Sequence, residues 1–558
     1  MKIIERPYED RARHALEQAG IHPLLAKIYA ARRIRNAVEL AYNPAALLAP
    51  SLLKGIEQAA ALLADAIQAG RRLLIIADYD ADGATACAVG MRALRLFGAR
   101  VDYLVPDRFK LGYGLSPELV DLAAQRAPEL LITVDNGIAS VDGVARARAL
   151  GIGTLITDHH LPGAELPQAD CIVNPNQAGC GFPSKALAGV GVMFYVMIAL
   201  RAELRRRGWP RSELNLGALT DLVALGTIAD VVPLDANNRN LVAQGLKRIR
   251  AGRAQPGVNA LLRAAGRNPA EATSFDLGFV AGPRLNAAGR LADMSLGIEC
   301  LIADDEARAA NGAQELDRLN RERREIEAGM LEQALETLTG LEAQAQSVFF
   351  APEWHEGVVG IVASRLKDRL HRPVVCFARA ADGRSLKGSG RSVPGLHLRD
   401  CLDLIAKRIP GLIARFGGHA QAAGLTIAET EYPRFAIAFE RALEETLPAA
   451  ARARTVETDG SLSHTYYTLE IARLLEDGIW GQGFPQPLFC DTFAVESQRV
   501  VGERHCKLVL ARDGRRHEAM RYGALDALPA RIRAAYRLAV NEWNGLRSVQ
   551  LNLEHVES

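Results

Sequence analysis

The hydrophobic pattern of the chain changes its period several times, and each change marks a boundary. From about residue 56 to 210, runs of about five apolar residues alternate with stretches whose apolar positions recur at helical spacing, as in IEQAAALLADAIQAG. A short continuous apolar run reads as a strand buried on both faces, and such strands belong to parallel sheets covered by helices. The predicted strands are LLIIAD, VDYLVP, LLITVD, GTLITD and CIVNP, with helices such as ATACAVGMRALRLFG and ASVDGVARARALG between them. Residues 1–55 carry short helical patterns and no visible chemistry. Residues 211–345 read as helical and close in a long helix from Asp304 to about Thr339, with Leu316, Leu319, Ile326, Met330, Leu335 and Leu338 on one face and Gly340 as its C-cap. At 1.5 Å per residue that helix is about 50 Å long, enough to join two domains. A second α/β unit is expected over residues 346–445, with SVFFAP and HRPVVCFARA as strands and the glycine-rich KGSGRSVPG after them. From residue 446 to 558, apolar residues alternate between turn signals, as in CKLVLARDG, the pattern of a small all-β barrel. The expected fold class is therefore α/β: a doubly wound parallel sheet joined by a long helix to a second α/β domain, plus a C-terminal all-β domain.

A chain of 558 residues exceeds what one hydrophobic core supports, which agrees with several domains. The 49% apolar content includes no run long enough to span a bilayer, and MKIIERPYED lacks the features of a signal peptide, so a soluble cytoplasmic protein is expected. The 67 basic and 65 acidic residues leave a net charge of +2, which neither supports nor excludes a polyanionic partner. Eight scattered cysteines with no C-x-x-C pair argue against a zinc ribbon or a redox motif.

Candidate chemistry concentrates where the predicted strands end. Asp78, Asp80 and Asp82 follow the first strand at alternate positions, Asp135 ends a second, and Asp158, His159 and His160 end a third. Ligands of open α/β sheets bind outside the C-terminal ends of the strands, and carboxylates clustered there are costly without a counter-charge. A metal cation supplies it. A calcium loop would need a bidentate glutamate further on and a helix rather than a buried strand before it. Two cations roughly 3.5–4 Å apart, held by carboxylates and imidazoles, form an arrangement that drives phosphoester hydrolysis.

The motifs DYDADG, VDNG, TDHH and DLVALGTIADVVPL, followed by GPRLNAAGR, HEGVVGIVASRL, GSGRS and FGGHAQAAG, span nearly the whole chain. In this the sequence resembles the DHH phosphoesterase superfamily, and within it the single-strand-specific exonucleases. The resemblance implies Asp80, Asp82, Asp135, His159 and Asp221 as ligands of two Mg²⁺ or Mn²⁺ ions, Asp135 bridging, with His160 beside them near the phosphate. Asp78 is read as a turn or supporting residue and Asp230 as structural or supporting. Many members carry a histidine four residues before the position of Asp80; this chain has Ile76, which implies one ion with fewer protein ligands.

The second α/β unit resembles the DHH-associated domain that grips nucleic acid. Ser389 and Arg391 in GSGRS, with its backbone amides, and Gly417, Gly418 and His419 suit a phosphate. Arg108, Arg284 and Arg290 are implied along the strand's route, Arg284 at the terminal phosphate, and His355 is either a substrate contact or a packing residue. The C-terminal segment resembles an OB-fold, with Arg499, Arg504, Lys507, Arg515 and Arg516 as charge and Trp543 and Tyr536 as either stacking or core aromatics. The implied activity is 5′→3′ hydrolysis of single-stranded DNA to mononucleotides in recombination and repair, by a monomer working with a single-strand-binding protein and a DNA helicase. A phosphodiesterase of short oligonucleotides or cyclic dinucleotides and a non-catalytic DNA-binding scaffold are the alternatives.

Overall fold

The computed structural model describes residues 2–107, 111–338, 346–448 and 455–557. Arg108 and Gly340, singled out above, lie outside the described residues, as does the end of the predicted long helix at Thr339. The chain divides into two compact units: Glu5–Arg318 with Glu457–Ser558, and Leu319–Val456 with Met1–Ile4.

In the first unit, β1 (Arg72–Ala77), β2 (Arg100–Leu104), β3 (Leu130–Val134), β4 (Gly153–Thr157) and β5 (Cys171–Val173) form one parallel sheet in the order β2-β1-β3-β4-β5. Strands β1 and β3 are central, which is why their sequences are almost wholly apolar: Leu73 to Ala77 and Leu130 to Val134, Thr133 included, are all buried. Each such side chain is worth about 1.5–3 kcal/mol when fully buried, so the register of the strand ends is firmly held. Helices α1 (Ala81–Phe97), α2 (Gly189–Arg206) and α3 (Thr220–Ala229) pack together on this sheet.

The same unit contains the C-terminal barrel. Strands β11 (Phe489–Val501), β12 (His505–Arg512), β13 (Arg515–Tyr522), β14 (Arg531–Trp543) and β15 (Leu546–Glu557), numbered after the five strands of the second unit, close in the order β11-β12-β13-β15-β14, with only β13 and β15 parallel. Ahead of the barrel, Asp459 makes a fully buried ion pair with Arg32 of an N-terminal helix at 2.7 Å. The barrel also decides between the two readings of its aromatics. Tyr536 is completely buried, donating to Asp491 at 2.6 Å, whereas Trp543 is 73% exposed.

The second unit holds a five-stranded sheet: β6 (Val348–Phe350), β7 (Val374–Arg379), β8 (Ser385–Arg391), β9 (Arg415–Gly418) and β10 (Ala422–Ala428), in the order β9-β10-β8-β7-β6. Helix α4 (Val359–Leu370) packs on β7 and β8. The predicted long helix runs Glu306–Glu336, 31 residues, and is shared by both units. Leu316, Leu319 and Met330 on its expected apolar face are buried. Among the described residues no single helix is long and apolar enough to cross a membrane.

Candidate metal centre

The metal-binding candidates come together because parallel strands end on one edge. Asp80 caps α1, one carboxylate oxygen accepting from the Asp82 and Gly83 N–H groups at 2.9 and 3.0 Å. Asp82, in the first turn of the helix, is buried and accepts from the Gly189 and Val190 N–H groups at 2.7 and 2.9 Å, so the positive end of α2 faces its charge. Asp135 follows β3 with φ at +63°, a left-handed conformation that costs a non-glycine residue about 1–2 kcal/mol and turns its carboxylate onto the rim. Its Oδ1 lies 3.0 Å from His159 Nε2, which is 3.5 Å from Asp230 Oδ2. Asp78 joins Asp80 and Asp135 in a second group whose ligand atoms all lie within 4.8 Å, as do those of Asp82, His159 and Asp230. Two adjoining ligand groups therefore meet at Asp135 and His159.

This donor set fits divalent cations. Asp135 Oδ1, His159 Nε2 and Asp230 Oδ2 are buried and have no hydrogen-bond partner, although they sit together. Burial, then the charges of neighbouring carboxylates, raises Asp135 and Asp230 well above the usual range, and burial with Asp80 lifts Asp82 to about 7. Burial and His160 depress His159 to about 4, while the Leu187 backbone takes a hydrogen bond from its ring, so a neutral imidazole presents Nε2 to the rim. Oxygen and imidazole donors of this kind suit Mg²⁺ or Mn²⁺.

The neighbouring Asp158 has a different task. It accepts from the N–H groups of His159 and Ile138 at 2.7 and 2.9 Å and lies 2.8 Å from His160 Nδ1. Burial pushes Asp158 up, but the His160 ring and the N–H groups of Ile138 and His160 outweigh it and hold the carboxyl below its ordinary range. Burial lowers His160 in turn, yet Asp158 outweighs it and raises the imidazole. His160 is thus a ring oriented by Asp158 at the edge of the site, its side chain 45% exposed.

One expected ligand is not at the rim. Asp221 lies in the first turn of α3, fully buried, accepting from the Gln255 N–H with Arg248 Nε 3.9 Å away. Nine residues of helix separate it from Asp230, about 13 Å along the axis and half a turn round, so only one of the two can face the site. The structure brings Asp230, not Asp221, to the ligand groups, and it also brings Asp78 there. Ile76 is a buried strand residue with no donor atom in its side chain.

Several contributors carried no legible signal. Tyr113, next to the glycine of LGYG, donates its hydroxyl to the Asp135 carbonyl at 3.1 Å and lies 3.1 Å from His160 Nδ1. Asn286 accepts from the Ala81 N–H at the mouth of α1. Gly189 is required by close approach: a Cβ there would stand 2.6 Å from Asp135 Oδ1. Gly189→Ala is expected to remain folded but to lose activity by about tenfold or more, because either Asp135 or the N-terminal turn of α2 must shift. Circular dichroism and initial rates measured together check this; a near-parental rate would refute it.

The predicted phosphate-gripping residues lie elsewhere in the chain, most of them in the second unit. The glycine-rich stretch expected to offer backbone amides is instead the central strand β8, its amides committed to the ladders with β7 and β10. Gly388 and Gly390 face the packed side, where a Cβ would meet Phe377 at 2.5 Å and Leu398 at 2.8 Å. Alternation then puts Ser389 and Arg391 on the other face, toward Gly360 at the start of α4. Arg391 donates to Ser389 Oγ at 2.9 Å and to the Gly390 carbonyl at 2.8 Å, and no carboxylate pairs with it among the described residues. Burial lowers its pKa. His355 Nδ1 accepts from the Gly357 N–H, and Gly417, Gly418 and His419 form the end of β9 and the turn to β10, closed by the His419 N–H on the Ala422 carbonyl. In the first unit, Arg284 bonds Asp317 at 2.7 Å and the Val280 carbonyl, and Arg290 lies in the last turn of the helix Gly282–Leu291. On the barrel, Lys507 and Arg516 pair with Glu518 and Glu496, while Arg499, Arg504 and Arg515 are exposed without an ion pair among the described residues.

The sheet, its carboxylate rim and the paired histidines define a DHH-class protein: residues 72–227 match the N-terminal domain of the DHH family, 342–445 the DHHA1 domain and 458–555 the RecJ OB domain. "Single-stranded-DNA-specific exonuclease RecJ" of Dickeya dadantii is 50% identical over 551 residues, 96% of each chain, and that of Escherichia coli is 48% identical over 556 residues, again 96% of each. A crystal structure of RecJ in complex with Mn²⁺ from Thermus thermophilus superposes with a TM-score of 0.83 at 31% identity, covering 100% of this chain and 79% of that one. The chain belongs to the RecJ family.

Proposed function

We propose that the protein is a metal-dependent exonuclease of single-stranded DNA that removes mononucleotides from the 5′ end and serves recombination and repair in the cytoplasm. The observation that carries this reading is the trio of buried, unsatisfied ligand atoms on Asp135, His159 and Asp230 at the strand ends. Asp78, Asp80 and Asp135 would hold one cation, and Asp82, His159 and Asp230 the other. When bound, such a pair supplies Lewis-acid charge for a phosphate and makes water acidic enough to attack it. The chain's own groups do the rest. Asp158 keeps the His160 ring oriented and proton-bearing, so His160 can donate a hydrogen bond to a phosphate oxygen. Tyr113 buttresses both His160 and the Asp135 backbone. Ser389 and Arg391 offer a hydroxyl and a guanidinium to a backbone phosphate of the strand, and the barrel's exposed arginines attract it further along.

The names of the relatives carry single-strand specificity; the 5′ end is what the family resemblance implies. Digestion of a strand labelled at one end with Mn²⁺ or Mg²⁺ tests it: label at the 5′ end should appear in mononucleotides from the earliest times, and label at the 3′ end only late. Early release from the 3′ end, or turnover in EDTA, would overturn the reading.

A further inference from the structure

Against the C-terminal half of α3, the helix that leads into Asp230, lies a set of exposed aromatic rings that neither the fold nor the chemistry above explains. The segment Asp276–Ala281 forms a π-turn, an element frequent at functional sites, and Gly278 within it approaches Ile228, two residues before Asp230, so closely that a Cβ would stand 2.8 Å from it. On this turn Phe275 and Phe279 are 49% and 67% exposed, their rings stacked at 4.8 Å with an interplanar angle of 20°. Val231, adjoining Asp230, is 62% exposed. At the other end, Arg547 of the barrel hairpin β14–β15 bonds Glu271 at 2.7 Å, four residues before Phe275. The tip of that hairpin is the pair Trp543 and Leu546, 73% and 77% exposed.

We infer that Phe279, Phe275 and Trp543 form a base-stacking track that carries single-stranded DNA between the metal rim and the barrel. This rests on the single-strand exonuclease reading and adds to it which residues hold the bases. Large apolar side chains left in water are an expense that a soluble surface does not normally keep as a cluster, and two parallel rings with their outer faces open are shaped for another flat ring. Every base has such a face, so stacking grips a strand without regard to sequence, as a processive nuclease requires. Packing of the turn against Ile228 of α3, the helix that leads into Asp230, and the Arg547–Glu271 tie to the OB barrel favour DNA over a protein partner as the occupant.

The test uses the full chain with Mn²⁺ and end-labelled single strands. Phe279→Ala is expected to raise KM about tenfold with kcat nearly unchanged, and Phe279→Trp to restore it. Both phenylalanines are exposed, so melting temperatures should stay near the parental value. Strands carrying one abasic site at successive positions supply the decisive comparison: the site that raises KM for the parent should have no further effect in Phe279→Ala, because the same contact has been removed from both sides. Trp543→Ala should weaken long strands and leave short ones unaffected, and strand binding should quench a fluorescence component absent from Trp543→Phe. An unchanged KM in Phe279→Ala, or abasic effects that simply add to it, overturns the track; the patch would then be a surface for a protein. A parent that fails to digest single strands overturns the exonuclease reading instead.

Discussion

Asp230→Asn abolishes hydrolysis and lowers Mn²⁺ affinity, whereas Asp221→Asn leaves both near the parental level: this is the expected outcome of exchanging the two aspartates of α3. Asp230 lies 3.5 Å from His159 Nε2 within a ligand group, and its Oδ2 is buried without a hydrogen bond. Losing it should cost more than the ~10–100-fold that follows loss of a mere outer partner of a metal ligand. Asp221 instead accepts the Gln255 N–H, a bond that the amide oxygen of Asn keeps, whereas Asp221→Ala leaves that donor unpaired and should show as about 1–3 kcal/mol of lost stability. Stability supplies an independent readout. Asp230 is raised above 3.8 by burial and then by Asp82, Asp80 and Asp78, so between that value and its folded one the folded chain holds the extra proton. Its contribution to the stability of the metal-free protein therefore declines as pH rises through that window. In EDTA, Asp230→Asn should melt above the parent at pH 8, with the gap closing toward pH 5. Full activity of Asp230→Asn, or a collapse of Mn²⁺ affinity in Asp221→Asn, would restore the assignment read from the sequence.

The second large effect is expected at Arg391. Its guanidinium is half-buried beside Ser389 Oγ and has no carboxylate among the described residues, an arrangement that burial alone penalises. A phosphate of the strand, as proposed, would resolve the imbalance. A forked contact of this kind is worth about 1.5–3 kcal/mol, so Arg391→Ala should lose roughly ten- to a hundredfold in strand affinity while calorimetry shows parental Mn²⁺ binding. Lysine should rescue in part, lacking the planar fork. Stability should hold or rise, because a buried charge without a partner has been removed. Parental strand affinity in Arg391→Ala would refute the phosphate contact.

What the sequence alone determined is what depends on local period and composition. The five strands of the first sheet, the ends of β1, β3 and β4, the long helix and the all-β character of the last segment follow from apolar runs and alternation, because the central parallel strands are buried on both faces and stop where carboxylates begin. That Asp80, Asp82, Asp135 and His159 converge was legible for the same reason: each stands at or just past a strand end, and parallel strands end on one edge. What lay beyond sequence was anything decided by rotation about a helix or by contact between distant segments. Asp221 and Asp230 share one motif, in which the resemblance implies Asp221 as the ligand and Asp230 as structural or supporting, yet nine residues of helix turn them to opposite sides and it is Asp230 that joins a ligand group. GSGRS reads as a loop because glycine is rare in strands, and only the bulk of Phe377 and Leu398 across the sheet accounts for its being one. Gly189, Tyr113 and the stacked pair Phe275 and Phe279 acquire their roles from neighbours far away in the chain. Periodicity records which residues are buried; it carries no record of what they are buried against, and the carboxylate rim, the surroundings of Arg391 and the stacked pair Phe275 and Phe279 are all made by that second choice.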